Sequence, residues 1–528
     1  MERNFGRLQQ GAFDLLVVGG GIYGAWTAYD ATLRGLRVAL VEQGDWAGAT
    51  SSASSKLIHG GLRYLEYGHL GLVRKTLDER RRLARLAPHR VQPLRFLLPV
   101  YRGDRVGLTR LSVGMWIYDR LAGSRQPVAP HRRLGRDEVL RLAGLRPDGL
   151  KGGFVFGDCL TDDARFTLEI VDGAQRAGAV AVNRAAAREL VAQGRRVVGA
   201  RIEDLDGGAG TIEVRAAMVV SATGAWKLKL PAGVEPSRTV ATRLTKGVHL
   251  VLPAREHDDA LVISSNDDAR IVFLIPWYGR TLLGTTDTDY RGDPAEVRVE
   301  RADVDYLLER ANGVLRTGWT RADIVGTFAG LRTLPDTAGA PSRATREWSS
   351  SEPLDGLLLS VGGKFTSARA DAASLVDRVL RYLGRSALPA PTADRPFPWC
   401  PEGAFDEWRD TTVREAVGLG LDGETAASCA MRYGSRTVRL FEQLRSAPGL
   451  ARRIVSTAPF CLAEALHAVR EEMATTLEDV LRRRIPLLLL CRLREADLQE
   501  VSRLVAGELG WTEERRRQEL QQLVSEPP

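Results

Sequence analysis

Asp14-Leu-Leu-Val-Val18, Gly19-Gly-Gly21 and Ile22-Tyr-Gly24 are the residues whose reading decides the fold. The first five form an apolar run without alternation, which reads as a strand buried on both faces of a parallel sheet. Beyond the glycines, Ile22, Trp26, Tyr29 and Leu33 recur at helical spacing, so a helix begins there and stops at Gly35. Val38–Val41 is a second strand and completes a βαβ-type unit. Gly19, Gly21 and Gly24 fit GxGxxG: the first permits the tight turn, the second lets backbone approach a pyrophosphate, and the third lets helix and strand pack closely. The helix N-terminus offers free N–H groups and a positive dipole end to the phosphates. Glu42 lies 18 residues beyond Gly24, at the end of the second strand, where a carboxylate accepts ribose hydroxyls. Its charge repels a 2′-phosphate and disfavours NADP.

FAD and NAD share this fingerprint, and later segments separate them. Ala217–Ser221 reads as a strand leading into the turn Ser221-Ala222-Thr-Gly224, and Leu357–Val361 leads through Gly362-Gly363 into Lys364-Phe365-Thr366 and a helix. The first resembles a turn on the adenosine side of flavoprotein oxidoreductases. The second resembles their flavin-contacting turn, whose helix N-terminus stabilises the negative charge of reduced flavin. Together they favour FAD.

Further strands are predicted at Arg196–Ile202, Thr211–Val214, Arg270–Ile275 and Thr281–Gly284. Prolines at 389, 391, 396, 398 and 401 mark a linker, after which the pattern is mostly helical. There, Leu462, Leu466, Val469, Met473, Leu477 and Val480 form one apolar stripe.

The chain has 528 residues, 44% hydrophobic and 27% charged, a globular balance. No apolar run is long enough for a transmembrane helix, and the N-terminus has no secretory signal. Cysteines 159, 400, 429, 461 and 491 stand singly, which points to free thiols in a reducing compartment, with neither a disulfide framework nor a metal site. The net charge is +8, and residues 74–136 hold sixteen Lys/Arg against four Asp/Glu. The block combines Arg80, Arg81, Arg82 and Arg85 with the apolar groups Phe96, Leu97, Leu98, Met115, Trp116 and Ile117. It is either a solvated face or an anchor for an anionic lipid surface. No nucleic-acid reader motif is present.

Residues 50–66, Thr-Ser-Ser-Ala-Ser-Ser-Lys-Leu-Ile-His-Gly-Gly-Leu-Arg-Tyr-Leu-Glu, resemble a signature of FAD-dependent glycerol-3-phosphate dehydrogenases. Ile275–Trp277, Gly284–Asp287, Gly330–Arg332, Gly362–Lys364, Glu471–Ala474 and Leu477–Arg483 agree with it. The resemblance is close over residues 12–385 and thinner from 400 to 528. It implies an α/β plus α architecture: a Rossmann-like FAD-binding domain (12–100, 150–240 and 330–388), interleaved with an antiparallel-sheet substrate domain (101–149 and 241–329), then a helical domain (400–528). It also implies oxidation of sn-glycerol 3-phosphate to dihydroxyacetone phosphate, with hydride passing to flavin N5 and electrons going on to a membrane quinone. The enzyme is then peripheral on the cytoplasmic face of the cell membrane, with a homodimer left open.

Site residues carry over position by position. Thr50, Ser51, Ser52, Ser55 and Lys56 join the cofactor set. Arg63, Tyr64, Arg332, Arg346 and Lys364 match active-site positions, the two later arginines as phosphate ligands. His59 is the candidate base for the C2 hydroxyl, since imidazole titrates near physiological pH; a purely structural histidine is the alternative. Thr286 and Asp287 shape the substrate rim. Two features depart from the family: Thr333 stands where proline is commoner, and the loop Asp336–Ala344 is short. Related oxidases that use oxygen carry an insertion not found here. An amine or 2-hydroxy-acid oxidoreductase, or a non-enzymatic basic flavoprotein, are the remaining alternatives.

Overall fold

The computed structural model describes residues 1–230, 241–264, 270–316, 318–336, 347–386 and 388–523. Phe13–Val18 is buried along its whole length and lies between Thr211–Ser221 and Val38–Val41, parallel to both. Leu357–Val361 extends the sheet parallel to Thr211–Ser221, and Val180–Val182 extends it parallel to Val38–Val41. Parallel neighbours need crossovers. Helix Ile22–Leu33 supplies the first and packs against helices Asp163–Arg176 and Ala368–Tyr382. Trp26, Tyr29, Phe166 and Phe397 fill the space between them.

The two strands predicted at 211–214 and 217–221 are one, Thr211–Ser221. Its first half alternates buried and exposed residues and pairs antiparallel with Arg196–Asp204. Its second half is mostly buried and pairs in parallel with Phe13–Val18 and Leu357–Val361. The change of pattern marks a change of partner within one strand.

A second, ten-stranded sheet forms among the described residues. Thr242–Pro253 pairs with Gly326–Pro335 from Thr242↔Pro335 to Val251↔Gly326. Gln92–Tyr101 and Leu150–Leu160 pair with each other in this same sheet.

The apolar stripe 462–480 is not one helix. Helix Leu462–Glu471 ends there, Met473 takes φ +55°, and Asp479–Arg484 forms a π-helical turn. The buried Glu472 carboxylate accepts from Arg165 at 2.5 and 2.8 Å, which draws the chain aside at that point.

The basic block is not one solvated face. The Arg80 guanidinium is buried and donates to Gly157 O at 2.7 Å and to Asp158 at 2.5 Å. Arg81, Arg82 and Arg85 pair with Asp78, Glu79 and Asp394. Phe96, Leu97, Leu98 and Met115 are core, and Ile117 is half-buried. Of the expected apolar anchors only Trp116 is exposed; Val113 on the same helix, Leu108–Ala122, and Leu70 on the helix packed against it, Leu70–Leu86, are exposed too. Charge composition cannot report that Asp158 lies under Arg80. Among the described residues no helix is long and apolar enough to cross a membrane.

Candidate active site

The C-terminal ends of the parallel strands open into a cavity of about 760 Å³, within the range of ~300–1,000 Å³ typical of small-molecule and cofactor sites. Gly19 and Gly21 line it. Gly19 has φ +110°, and a Cβ there would sit 2.6 Å from the Ala222 carbonyl oxygen. Gly24 lies outside the cavity wall. A Cβ on it would come within 1.8 Å of Gly19 O, so its role is to let the helix start against the turn. The Ile22 amide donates to Ser51 Oγ at 2.9 Å. Glu42 accepts from the amides of Gly20 (2.6 Å) and Gly44 (2.7 Å). Its burial raises its pKa, and these two bonds oppose the rise. A carboxylate has lone pairs beyond those two, which leaves capacity for ribose hydroxyls.

The other end of the cavity is built on the second turn. Gly362 and Gly363 have φ +70° and +98°, and a Cβ on Gly363 would fall 1.8 Å from the Tyr23 hydroxyl. That hydroxyl accepts from the Lys364 amide at 3.0 Å and donates to Asp371 at 2.8 Å, so the turn is pinned to the first helix. Lys364 Nζ lies 3.5 Å from the centroid of the Tyr64 ring. The His59 amide donates to Thr366 Oγ1 at 3.1 Å, which sets His59 beside this turn. Phe365 packs edge-on against Phe166.

Arg332 enters from Gly326–Pro335. Its guanidinium donates to Thr285 Oγ1 at 2.9 Å and Thr286 O at 3.2 Å, and meets Asp287 at 3.4 Å. Gly247 leaves it room, since a Cβ there would come within 2.3 Å of the Arg332 guanidinium. Thr286 is buried, its hydroxyl accepting from the Val248 amide.

His249, absent from the sequence reading, also lines the cavity. Its ring stacks on Phe328, with centroids 4.8 Å apart, and Nε2 lies 2.9 Å from Ser55 Oγ. Burial, with the neighbouring Arg332 and Lys56 cations, lowers its pKa well below the usual histidine value. The only signal in the sequence was an alternate-residue pair, Gly247 and His249, in a strand-rich stretch.

Thr50, Ser51, Ser55, His59, Tyr64, Ala222, Gly224, Arg332 and Gly362–Thr366 are thus brought to one cavity. Ser52 and Lys56 are not on its wall. Ser52 Oγ turns back to Ala49 O. Lys56 Nζ is buried against Asp163 at 2.6 Å and donates to Ser52 O. Arg63 lines a second, adjoining cavity of about 380 Å³, to which Asp287 also contributes. Arg346, with most of the loop 336–344, lies outside the described residues.

A glycine turn with a buried carboxylate beside it and a second glycine turn on the same cavity are the features of a dinucleotide-binding oxidoreductase. Residues 14–366 match the FAD dependent oxidoreductase family, and residues 400–516 match the C-terminal domain of alpha-glycerophosphate oxidase. Glycerol-3-phosphate dehydrogenase 2 of Mycobacterium tuberculosis is 37% identical over 96% of this chain and 86% of its own length. The glycerol-3-phosphate dehydrogenase of Synechocystis is 35% identical over 97% and 96%. The crystal structure of the Bacillus halodurans glycerol-3-phosphate dehydrogenase complexed with FAD superposes with a TM-score of 0.78 at 30% identity, covering 98% of this chain and 95% of that one. The chain belongs to the family of FAD-dependent glycerol-3-phosphate dehydrogenases. Its cofactor is FAD, and the cradle described above fits that group.

Proposed function

We propose that this enzyme oxidises sn-glycerol 3-phosphate at C2 to dihydroxyacetone phosphate. The observation that carries the reading is Arg332, a guanidinium held in the cavity wall near His249, on a strand whose Thr333 carbonyl lies close to Gly362 of the second turn. Bound FAD supplies a two-electron acceptor. Gly19, Gly21, Ser51 and Glu42 hold its dinucleotide portion, and Gly362–Thr366 flank its flavin. Arg332 binds the substrate dianion, with Arg346 as the second proposed phosphate ligand and Arg63 at the border with the adjoining cavity. Lys364 and Tyr64 shape the reacting end. His59 accepts the proton of the C2 hydroxyl.

Glycerol 3-phosphate should bleach the flavin anaerobically, and glycerol should do so far less, because phosphate binding positions C2 for reaction. Stopped-flow absorbance decides this, and equal bleaching by both would remove the phosphate assignment.

Electrons then pass to a membrane quinone rather than to oxygen. The second cavity supports this: Phe96, Leu98, Met115 and Phe156 line it, and it shares Leu57, His59 and Tyr64 with the first. Val113 is both part of its wall and exposed at the surface. Trp116 is exposed beside it, with the Arg120 guanidinium 5.2 Å from its ring. We infer peripheral attachment to an anionic lipid surface through this face. Basic groups contribute ~1 kcal/mol each there. The protein should float with anionic but not neutral liposomes at low salt, and Trp116→Glu with Arg81→Glu should weaken this. Arg80 is excluded from the test, since its charge is internal. Protein that stays free of anionic liposomes would leave a non-membrane acceptor as the better reading.

A further inference from the structure

The parallel strands order the cavity along the sheet. Leu357–Val361 ends at the second turn, Phe13–Val18 at the glycine turn, Val38–Val41 at Glu42, and Val180–Val182 leads to Asn183 and Arg184. The last two form the adenosine side. That side is where the helical domain arrives: Glu478, Asp479 and Arg483 stand in the cavity wall with Glu42, Gly44, Asp45 and Arg184.

The contact is a set of mostly buried charges. Arg483 Nε donates to Asp45 at 2.5 Å. Arg484 adds a two-pronged contact to the same carboxylate, at 2.6 and 2.7 Å. Asp479 accepts both from Arg483 and, at 2.8 and 2.9 Å, from Arg184. Asn183 Nδ2 donates to Met473 O at 2.9 Å. Consecutive side chains on an α-helix diverge by about 100°. Here Arg483 and Arg484 converge on one carboxylate from the π-helical turn Asp479–Arg484. Such turns recur at functional sites. Burial alone would raise the Asp45 pKa, yet Arg484 and Arg483 hold it well below the usual carboxylate range, so Asp45 is ionised at neutral pH.

We propose that the helical domain completes the cofactor site. Its π-helical turn closes the adenosine end of the dinucleotide cavity, with Arg483 as the positioning residue that sets how tightly FAD is retained. This rests on the FAD reading and adds a role for the C-terminal domain. The second turn and Arg332 lie at the opposite end of the cavity, so the turn governs retention rather than the chemical step.

Full-length holoenzyme tests this. On dilution, Arg483→Met should release FAD about tenfold or more faster than wild type, followed as recovery of flavin fluorescence; that is the loss of roughly one charged hydrogen bond. Arg483→Lys should recover part of the loss. Arg452→Met removes an exposed ion pair with Glu500 elsewhere in the domain and should leave the rate unchanged. Thermal unfolding separates cofactor grip from packing, because a ligand stabilises only through its own affinity. Wild type and Arg483→Met should melt further apart with FAD bound than once FAD is removed. If Arg483→Met does not fold, Asp45→Asn takes its place in the same two measurements. An unchanged release rate overturns the proposal, as does a melting gap of equal size with and without FAD. Wild-type protein purified without FAD would instead overturn the reading on which it rests.

Discussion

Arg332→Ala should lower kcat/KM for glycerol 3-phosphate by about 2–5 kcal/mol, roughly 30- to 5,000-fold, the range for truncating one partner of a buried charge pair. The side chain reaches the cavity through the gap over Gly247 and is aimed by Thr285 Oγ1 and Thr286 O. Two of its contacts are neutral oxygens, and its carboxylate contact, Asp287, is at 3.4 Å. With glycerol as substrate the same substitution should cost little, because no dianion is there to lose its partner. Gly247→Ala should mimic part of the defect by displacing the guanidinium. Steady-state kinetics with both substrates checks the pair, and an equal loss on glycerol and on its phosphate would show that Arg332 supports the fold rather than the phosphate.

His59→Gln should slow flavin reduction by about 10²–10⁴-fold, the usual contribution of a general base, while FAD stays bound. Two imidazoles line the cavity, and their surroundings separate them. His249 is enclosed between Phe328 and Ser55, and its lowered pKa keeps it neutral but weakly basic. A weak base is a hydrogen-bonding wall rather than a proton acceptor, so His249→Gln should cost less. Rapid-mixing measurements on both variants decide between them, and an unchanged rate in His59→Gln would return that residue to a structural role. His249 has its own signature in stability. Its folded-state pKa is below its unfolded value, so below about pH 6.5 the unfolded chain binds more protons. Stability should fall as pH drops from there toward the folded-state pKa and level off below it. His249→Gln should flatten that slope in a denaturation series.

The nucleotide unit was legible because it is local. Strand, glycines, helix and Glu42 lie within thirty residues, and each follows from periodicity or backbone freedom. The second turn was legible for the same reason. His249 and Gly247 were not, because their place depends on Thr242–Pro253 pairing with a strand some eighty residues later. Arg80, read as part of a surface block, and Lys56, read as part of the cofactor set, share one cause. Arg80 meets Asp158 across 78 positions and Lys56 meets Asp163 across 107, and neither partner is visible in the local pattern. Whether Phe96, Leu97 and Leu98 face lipid or core was left open for the same reason: the partner of their strand, Leu150–Leu160, is remote.

The strand order bears on how the protein is made. Phe13–Val18 is among the first segments to leave the ribosome, but one neighbour begins at Thr211, and that neighbour's next partner begins at Leu357. At ~5–20 residues per second the chain waits roughly 20–70 s between synthesis of the glycine turn and of the turn at Gly362. Until residue 221 is made Phe13–Val18 has an apolar edge without its final neighbour, and until residue 361 is made so does Thr211–Ser221, a state prone to aggregation. Contacts this distant in sequence also make folding slow. Nascent chains stalled before residue 362 should therefore retain no flavin and should depend on chaperones, and the coloured enzyme should appear only as synthesis nears its end.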